Sequence, residues 1–165
     1  MPDMKSNTIH QLEKELQNRS AEEVMEICIR LAKYKKENKE YLNFILFGAD
    51  DKENYFTKVK ESLEESFNQI NRSTAWTTKK GLQKMARLVG KHTKQSGSLQ
   101  TEIELRIWFC KRIRHARIDL DASKVTSNLF YREIDRIKVV YSKLHEDLRA
   151  DYKNDLNLLM VETDY

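Results

Sequence analysis

The chain contains very few residues that break helices. Its 165 residues include four glycines and a single proline, Pro2, which lies outside any expected element. Apolar residues recur at steps of three and four along most of the chain, the spacing that places them on one face of an α-helix. Because helix breakers are so rare, the sequence predicts a protein without a β-sheet in which more than about two-thirds of the residues are helical.

Apolar faces and capping signals divide the chain into seven expected helices. Capping-box spacing, in which Ser or Asp precedes Glu by three residues, marks two of the starts, at Ser20 and Asp50. The third helix is strongly apolar from Leu42 to Phe47 and ends at Gly48, so we expect it to be buried. The last helix is expected to be continuous over roughly 57 Å. The expected helices span about residues 8–18, 20–34, 39–47, 50–70, 79–94, 99–117 and 122–159.

The fold class follows from this order of elements. Short turns make sequential helices antiparallel neighbours. We therefore predict an all-α fold, either an irregular layered helical array or a small α-solenoid, with the long C-terminal helix packed along it. The chain length fits one domain over residues 1–165. A candidate sub-boundary lies near residues 71–78, which are rich in Ser, Thr and Asn.

Cysteine usage and hydropathy indicate the environment of the protein. Cys28 and Cys110 are far apart and lie on apolar helix faces, so we expect two buried free thiols. The N-terminal segment is polar and has no apolar run of signal-peptide length. No window approaches the roughly 20 apolar residues of a membrane span. We therefore expect a cytoplasmic protein that does not enter a membrane.

Positive charge is concentrated in the middle of the chain. Between Asn71 and Ile118 there are twelve Lys or Arg residues against only Glu102 and Glu104, a local net charge of +10. The segments on either side each carry a net charge of −3. We call residues 71–118 the basic belt. Such a belt favours an anionic partner, or an acidic surface of the protein itself.

Within the belt, the fifth helix has a row of cations at steps of 4, 3, 4 and 3. At about 100° per residue these positions share one narrow sector, opposite Leu82, Ala86 and Val89. A solvated face that keeps the protein soluble is one interpretation, and a binding surface for phosphates or carboxylates is the other. The absence of interleaved Glu favours binding, because solvated helices usually mix charges of both signs. This basic stripe consists of Lys80, Lys84, Arg87, Lys91 and Lys94.

The sixth helix carries arginines within or beside its apolar face. That face consists of Leu99, Ile103, Ile107, Cys110 and Ile113. Since a buried arginine needs a carboxylate partner, the favoured interpretation is a central helix, covered on both sides. Its arginines would then pair with carboxylates of the first or last helix. The arginines concerned are Arg106, Arg114 and Arg117.

The opposite side of the sixth helix allows a second interpretation. Trp108 lies there among Lys111, Arg112 and His115. If exposed, this group would form a stacking and charge-pairing platform suited to single-stranded nucleic acid or an acidic peptide. Trp76, in the polar segment 71–78, is interpreted as a packing residue instead.

The last helix has an apolar seam at steps of 4, 3, 4, 3 and 4, which is coiled-coil spacing over fewer than three heptads. Packing against the protein's own helices is favoured over dimerisation, so a monomer is expected. The seam consists of Phe130, Ile134, Ile137, Tyr141, Leu144 and Leu148.

No catalytic motif is recognisable in the sequence. A Gly-rich phosphate loop, an HExxH motif, a CxxC motif and a nucleophile elbow are all absent. The four histidines are scattered, and Cys110 and His115 point to different sectors of their helix. We therefore expect no enzymatic activity, no metal and no cofactor.

The expected function is that of a non-catalytic helical interaction module that docks an acidic protein through the basic belt. A nucleic-acid-binding protein that uses the same belt is the alternative, and a homodimer built on the C-terminal helix is a second one. The candidate partner-binding residues are Lys80, Lys84, Arg87, Lys91, Lys94, Trp108, Lys111, Arg112 and His115.

Overall fold

The computed structural model describes residues 7–48 and 52–161, and helices account for 84% of these residues. The two ranges contain eight α-helices, one short π-helix and no β-strand, which confirms the predicted all-α helical array. The α-helices are α1 (Ile9–Gln17), α2 (Ala21–Tyr34), α3 (Lys36–Asn43), α4 (Lys52–Asn68), α5 (Ala75–Ser96), α6 (Leu99–His115), α7 (Lys124–Lys143) and α8 (Glu146–Val161). The π-helix, Phe44–Gly48, follows α3 directly.

The chain divides into two compact units, Met1–Asp51 and Lys52–Tyr165. The candidate sub-boundary near residues 71–78 falls inside the second unit, around the connection between α4 and α5. A single domain over residues 1–165 stays a prediction. Across the described ranges, no helix combines the length and apolarity that a membrane-spanning segment needs.

The first unit is built from α1, α2, α3 and the π-helix. The capping box predicted at Ser20 is present, since the Ser20 hydroxyl accepts a hydrogen bond from Glu23 N–H and the Glu23 carboxylate accepts one from Ser20 N–H. Helix α2 packs against α3. The second predicted box involves Asp50, which lies outside the described residues.

Burial in the first unit was predicted wrongly. None of its described residues is buried, Phe47 is exposed, and Cys28 is half-buried where a buried thiol was expected. The apolar run at the end of the third helix belongs partly to the π-helix. A small unit buries a smaller fraction of its surface than a large one does, and here every described apolar side chain stays at least partly exposed.

Helix α6 is the centre of the second unit. It packs against α5, α7 and α8. Ile103, Ile107 and Ile113 are buried as predicted, and Leu105 and Phe109 on the other side of the helix are buried too. This confirms the interpretation of a helix covered on both sides. Leu99, at its first position, is exposed.

Helix α5 begins at Ala75, about four residues before the predicted start. The hydroxyl of Thr74 accepts a hydrogen bond from Thr77 N–H at 3.1 Å, and the Thr77 hydroxyl accepts one from Thr74 N–H at 3.2 Å. Two threonines thus form the capping box that Ser or Thr with Glu usually forms. Gly97 caps the C-terminal end of α5, and its φ of 61° is the left-handed conformation that glycine adopts without steric cost.

The continuous last helix was a wrong prediction, because the chain breaks between α7 and α8. Leu144 is extended, with φ −70° and ψ 151°. The Arg149 guanidinium donates hydrogen bonds to the carbonyl oxygens of Leu144 and Ser142, which α7 leaves unpaired at its end. The break lets α8 pack against α6 and α7 and bury Leu156 and Leu159.

The apolar seam of α7 packs inside the second unit. Phe130, Ile134 and Ile137 are buried, as is Leu144 at the break. This agrees with the prediction that the seam contacts the protein's own helices, and it leaves these side chains closed to a second copy.

Candidate functional site

The basic stripe lies on the outer face of α5. Lys80, Lys84, Arg87 and Lys94 are exposed and Lys91 is half-exposed. On the opposite face Leu82 and Val89 are completely buried and Ala86 packs against the core. The core therefore fixes the rotation of α5 about its axis. From Lys80 to Lys94 the stripe extends over about 21 Å.

Three cations of the stripe have neither a charged nor an aromatic partner among the described residues. Among the described residues, no carboxylate lies within 4.0 Å of the side-chain nitrogens of Lys84, Arg87 or Lys94. Exposed charges in water keep most of their hydration, so leaving them unpaired costs the fold little. These side chains are free to meet an external anion.

An exposed aromatic ring, which the sequence interpretation missed, extends the stripe at its N-terminal end. Trp76 is 62% exposed, and the Lys80 Nζ lies 5.3 Å from its ring centroid in a cation–π contact. The prediction that Trp76 packs was wrong because it placed the start of α5 at Lys79. With α5 beginning at Ala75, Trp76 lies one turn before Lys80 in the same sector of the helix.

The arginines of α6 have internal partners. Arg106 is buried, and it pairs with Glu102 at 2.8 Å and with Glu133 of α7 at 2.6 Å. Arg114 lies over the ring of Phe130, 4.8 Å from its centroid. The predicted pairing with a carboxylate of the first or last helix is thus confirmed at Arg106. It is wrong at Arg117, which lies beyond the end of α6, is exposed and forms no ion pair with a described residue.

The opposite side of α6 does not form an open platform. Trp108 is half-buried and meets Phe67 edge to face, with ring centroids 6.4 Å apart. Lys111 pairs with Asp155 of α8 at 2.6 Å, and Arg112 pairs with Glu64 of α4 at 2.8 Å.

His115 is the exposed member of the predicted platform. Ion pairs within the second unit compensate the charges of Lys111 and Arg112, so this part of the belt faces an acidic surface of the protein itself.

Two side chains in the second unit have shifted acidities. Burial raises the pKa of the Cys110 thiol far above its usual range, so the thiol stays protonated and is a poor nucleophile. Burial, together with a hydrogen bond to Glu104 at 2.6 Å, raises the pKa of Tyr152 to about 12. Neither group lies in the stripe.

The stripe offers charge pairing, cation–π contact and stacking. Within residues 7–48 and 52–161, no three His, Cys, Asp or Glu side chains are grouped so that they could hold a metal ion.

No protein-family model, curated protein or solved structure matches the chain.

Proposed function

We propose that the protein is a non-catalytic helical interaction module that binds an acidic protein through the basic stripe of α5. The observation that carries this proposal is the set of unpaired, exposed cations at Lys84, Arg87 and Lys94. They project from a helix whose other face is anchored in the core. A rigid row of like charges is suited to meet a row of carboxylates on a partner.

The cations of α5 and α6 differ in whether they have carboxylate partners, and this difference indicates which part of the belt can bind a partner. On α6, Arg106, Lys111 and Arg112 have carboxylate partners inside the second unit. The charge that remains for a partner therefore lies mainly on α5. A partner would need acidic side chains distributed over about 21 Å, the length of the stripe.

The test compares two triple variants with the same change in charge. Changing Lys84, Arg87 and Lys94 to Gln should reduce binding of an oligoglutamate peptide at low salt and leave the thermal midpoint nearly unchanged. The matched control changes Arg132, Lys143 and Lys153 to Gln. These three are exposed cations of α7 and α8, and none of them pairs with a described residue.

The control triple should bind the peptide almost as well as the unchanged protein does. Equal loss of binding in both triples would mean that net charge rather than the stripe attracts the peptide. Unchanged peptide binding by the stripe triple would show that the stripe is a solvated face with no part in binding.

Nucleic-acid binding through the same stripe is the second candidate, favoured by the exposed ring of Trp76 beside Lys80. A stacked base contributes roughly 1–3 kcal/mol to single-strand binding. Under this alternative, Trp76→Ala weakens binding of a single-stranded oligonucleotide about tenfold and leaves oligoglutamate binding unchanged. Oligonucleotide affinity would also fall steeply with salt concentration. Tighter binding of oligoglutamate than of the oligonucleotide at matched salt would favour the acidic-protein partner.

A further inference from the structure

A cleft in the second unit lies where the N-termini of α5 and α7 meet. Its volume is about 380 Å³, within the roughly 300–1,000 Å³ typical of small-molecule sites. Three segments line it: residues 72–75 with Thr78, residues 116–119, and residues 122–123 with Thr126. The cleft is separate from the basic stripe, because Thr78 faces it from the core side of α5.

Both helix starts border this region, since their N-cap residues, Thr74 and Ser123, line the cleft. The first amides of a helix have no partner within the helix and carry its partial positive charge. At α5 the Thr74 hydroxyl satisfies one of them, that of Thr77. At α7 the N-cap residue Ser123 makes no side-chain hydrogen bond to the first turn, so the amides there have no side-chain acceptor. Helix N-termini of this kind bind anions.

The hydroxyl of Thr126 is an independent indication of a ligand. Thr126 lies in the first turn of α7, is only 3% exposed and lines the cleft. Its side chain has no hydrogen-bond partner in the described part of the chain, and its hydroxyl is not one of the polar atoms that are closed off from solvent. By contrast, the neighbouring Thr78 hydroxyl donates to the Thr74 carbonyl oxygen at 2.8 Å. The Thr126 hydroxyl is therefore open to the cleft, where a ligand can bond to it as donor or acceptor.

Two arginines give the cleft its charge. Arg72 and Arg117 line it, both are exposed, and neither forms an ion pair with a described residue. One carboxylate, Asp119, also lines the cleft, and its Oδ1 accepts a hydrogen bond from Asp121 N–H at 2.9 Å. The two guanidinium groups and the two helix N-termini together outweigh that single negative charge.

We propose that this cleft binds a small phosphorylated molecule through its phosphate group. A phosphate offers several strong acceptor oxygens pointing in different directions. The donors here belong to three different segments of the lining: the Thr126 hydroxyl and the first amides of α7, Arg72 before α5, and Arg117 after α6. The remaining volume accommodates the rest of the molecule. This site and its ligand are independent of the acidic partner proposed for the stripe.

The experiment uses the full chain and titrates inorganic phosphate, then ribose 5-phosphate, with ribose and sodium chloride at matched ionic strength as controls. We expect saturable binding of both phosphates and none of ribose. Amide signals of residues 74–78 and 123–126 should shift in nuclear magnetic resonance spectra. Tighter binding of ribose 5-phosphate than of inorganic phosphate would identify a small phosphorylated molecule as the ligand. Equal affinity for the two would overturn that part of the proposal.

Two variants test the named donors with little risk to the fold. Thr126→Val keeps the shape of the side chain and removes the hydroxyl. Arg117→Gly removes the guanidinium at a position whose φ of 50° suits glycine better than arginine. Each should weaken phosphate binding about tenfold, while Arg117→Lys should retain much of it.

The stripe triple Lys84→Gln, Arg87→Gln and Lys94→Gln is the control, and it should bind phosphate as the unchanged protein does. In turn, the cleft variants should bind oligoglutamate normally, so that failure at one site is distinguishable from failure at the other. Phosphate-induced shifts that fall on the stripe and not on the cleft, or unchanged phosphate binding in both cleft variants, would overturn the proposal.

Discussion

Two glycines of α5 have opposite surroundings although both lie in the interior of one helix. A Cβ built on Gly81 would lie 3.0 Å from Cγ1 and 3.2 Å from Cβ of Ile70. A Cβ built on Gly90 would have no heavy atom within 4 Å. Gly81 thus permits the close approach of α5 to Ile70, in the segment after α4. At Gly90 there is room for a larger side chain, so packing does not require glycine there.

These surroundings predict opposite effects of the same substitution. Gly90→Ala should raise the free energy of unfolding by about 0.5–1 kcal/mol, because alanine has the higher helix propensity. Gly81→Ala gains the same propensity but forces Ile70 to move, so it should lower the free energy of unfolding by about 1–3 kcal/mol. Urea unfolding of both variants measures the difference. Two changes of the same sign would show that Ile70 adapts without cost.

Burial at single positions was predictable where the apolar spacing was regular, as at Ile103 and Ile113. The pairing of charged side chains was not predictable from the sequence. The partners of Lys111 and Arg112 are Asp155 and Glu64, each more than forty positions away along the chain. A single sequence shows no relation between residues so far apart, so it left open whether Trp108, Lys111 and Arg112 form an exposed platform or a covered face.

At the scale of elements, α6 and α7 are joined by an ion pair inside the core. Glu133 is 1% exposed and bonds to Arg106 and also to Arg136, each at 2.6 Å. Removing one member of a buried pair leaves an isolated charge and costs roughly 3–5 kcal/mol, whereas replacing both members with apolar residues costs much less.

We therefore expect strong coupling between Arg106 and Glu133. Arg106→Met alone should lower the free energy of unfolding by about 3–5 kcal/mol. The double variant with Glu133→Leu should lose clearly less than the sum of the two single variants. Urea unfolding of the four proteins closes the double-mutant cycle. If the losses of unfolding free energy were additive, Arg136 alone would be enough to compensate the negative charge of Glu133.

Helix α8 is docked on α6 by a tyrosine whose ionisation differs between the folded and unfolded chain. Burial, with the carboxylate of Glu104, raises the pKa of Tyr152 from 10.0 to about 12. The folded state thus favours the protonated phenol. This stabilisation is fully present below pH 10 and is lost as the pH rises through 12.

The comparison with Tyr152→Phe isolates this contribution. The unchanged protein should be the more stable of the two at neutral pH, because it has the hydrogen bond to Glu104. The difference in urea midpoint should shrink between pH 10 and pH 12. A difference that stays constant over that interval would show that Tyr152 ionises as it does in the unfolded chain.

The ends of the elements were harder to predict than their existence. Apolar spacing alone located most of the helices, because it reports on which face is buried. The break at Leu144 has neither Gly nor Pro to announce it. It is stabilised by Arg149, whose guanidinium bonds to two carbonyl oxygens, and by the burial of α8 against other helices. Such tertiary interactions leave no local signal in the sequence.

At the scale of the whole molecule, burial is divided unequally between the two units. Every buried side chain among the described residues lies between Val59 and Leu159, in the second unit. The described part of the first unit contains half-buried and exposed positions alone. Since buried apolar area is the main source of folding free energy, the second unit holds most of the stability.

A fragment of residues 52–165 should therefore fold cooperatively by itself, with a thermal midpoint within about 5 °C of the full chain's, since that shift corresponds to about 1 kcal/mol. A matched control, residues 1–145, removes α8 with Leu156 and Leu159 and should lose far more, because two buried leucines leave the core. In the full chain, backbone amides of α1–α3 should exchange with solvent faster than those of α5–α7, since local stability follows buried contacts. Scanning calorimetry and hydrogen exchange measure these quantities. A 52–165 fragment that does not unfold cooperatively, or equal protection of α2 and α6, would show that the first unit contributes to the stability of the second.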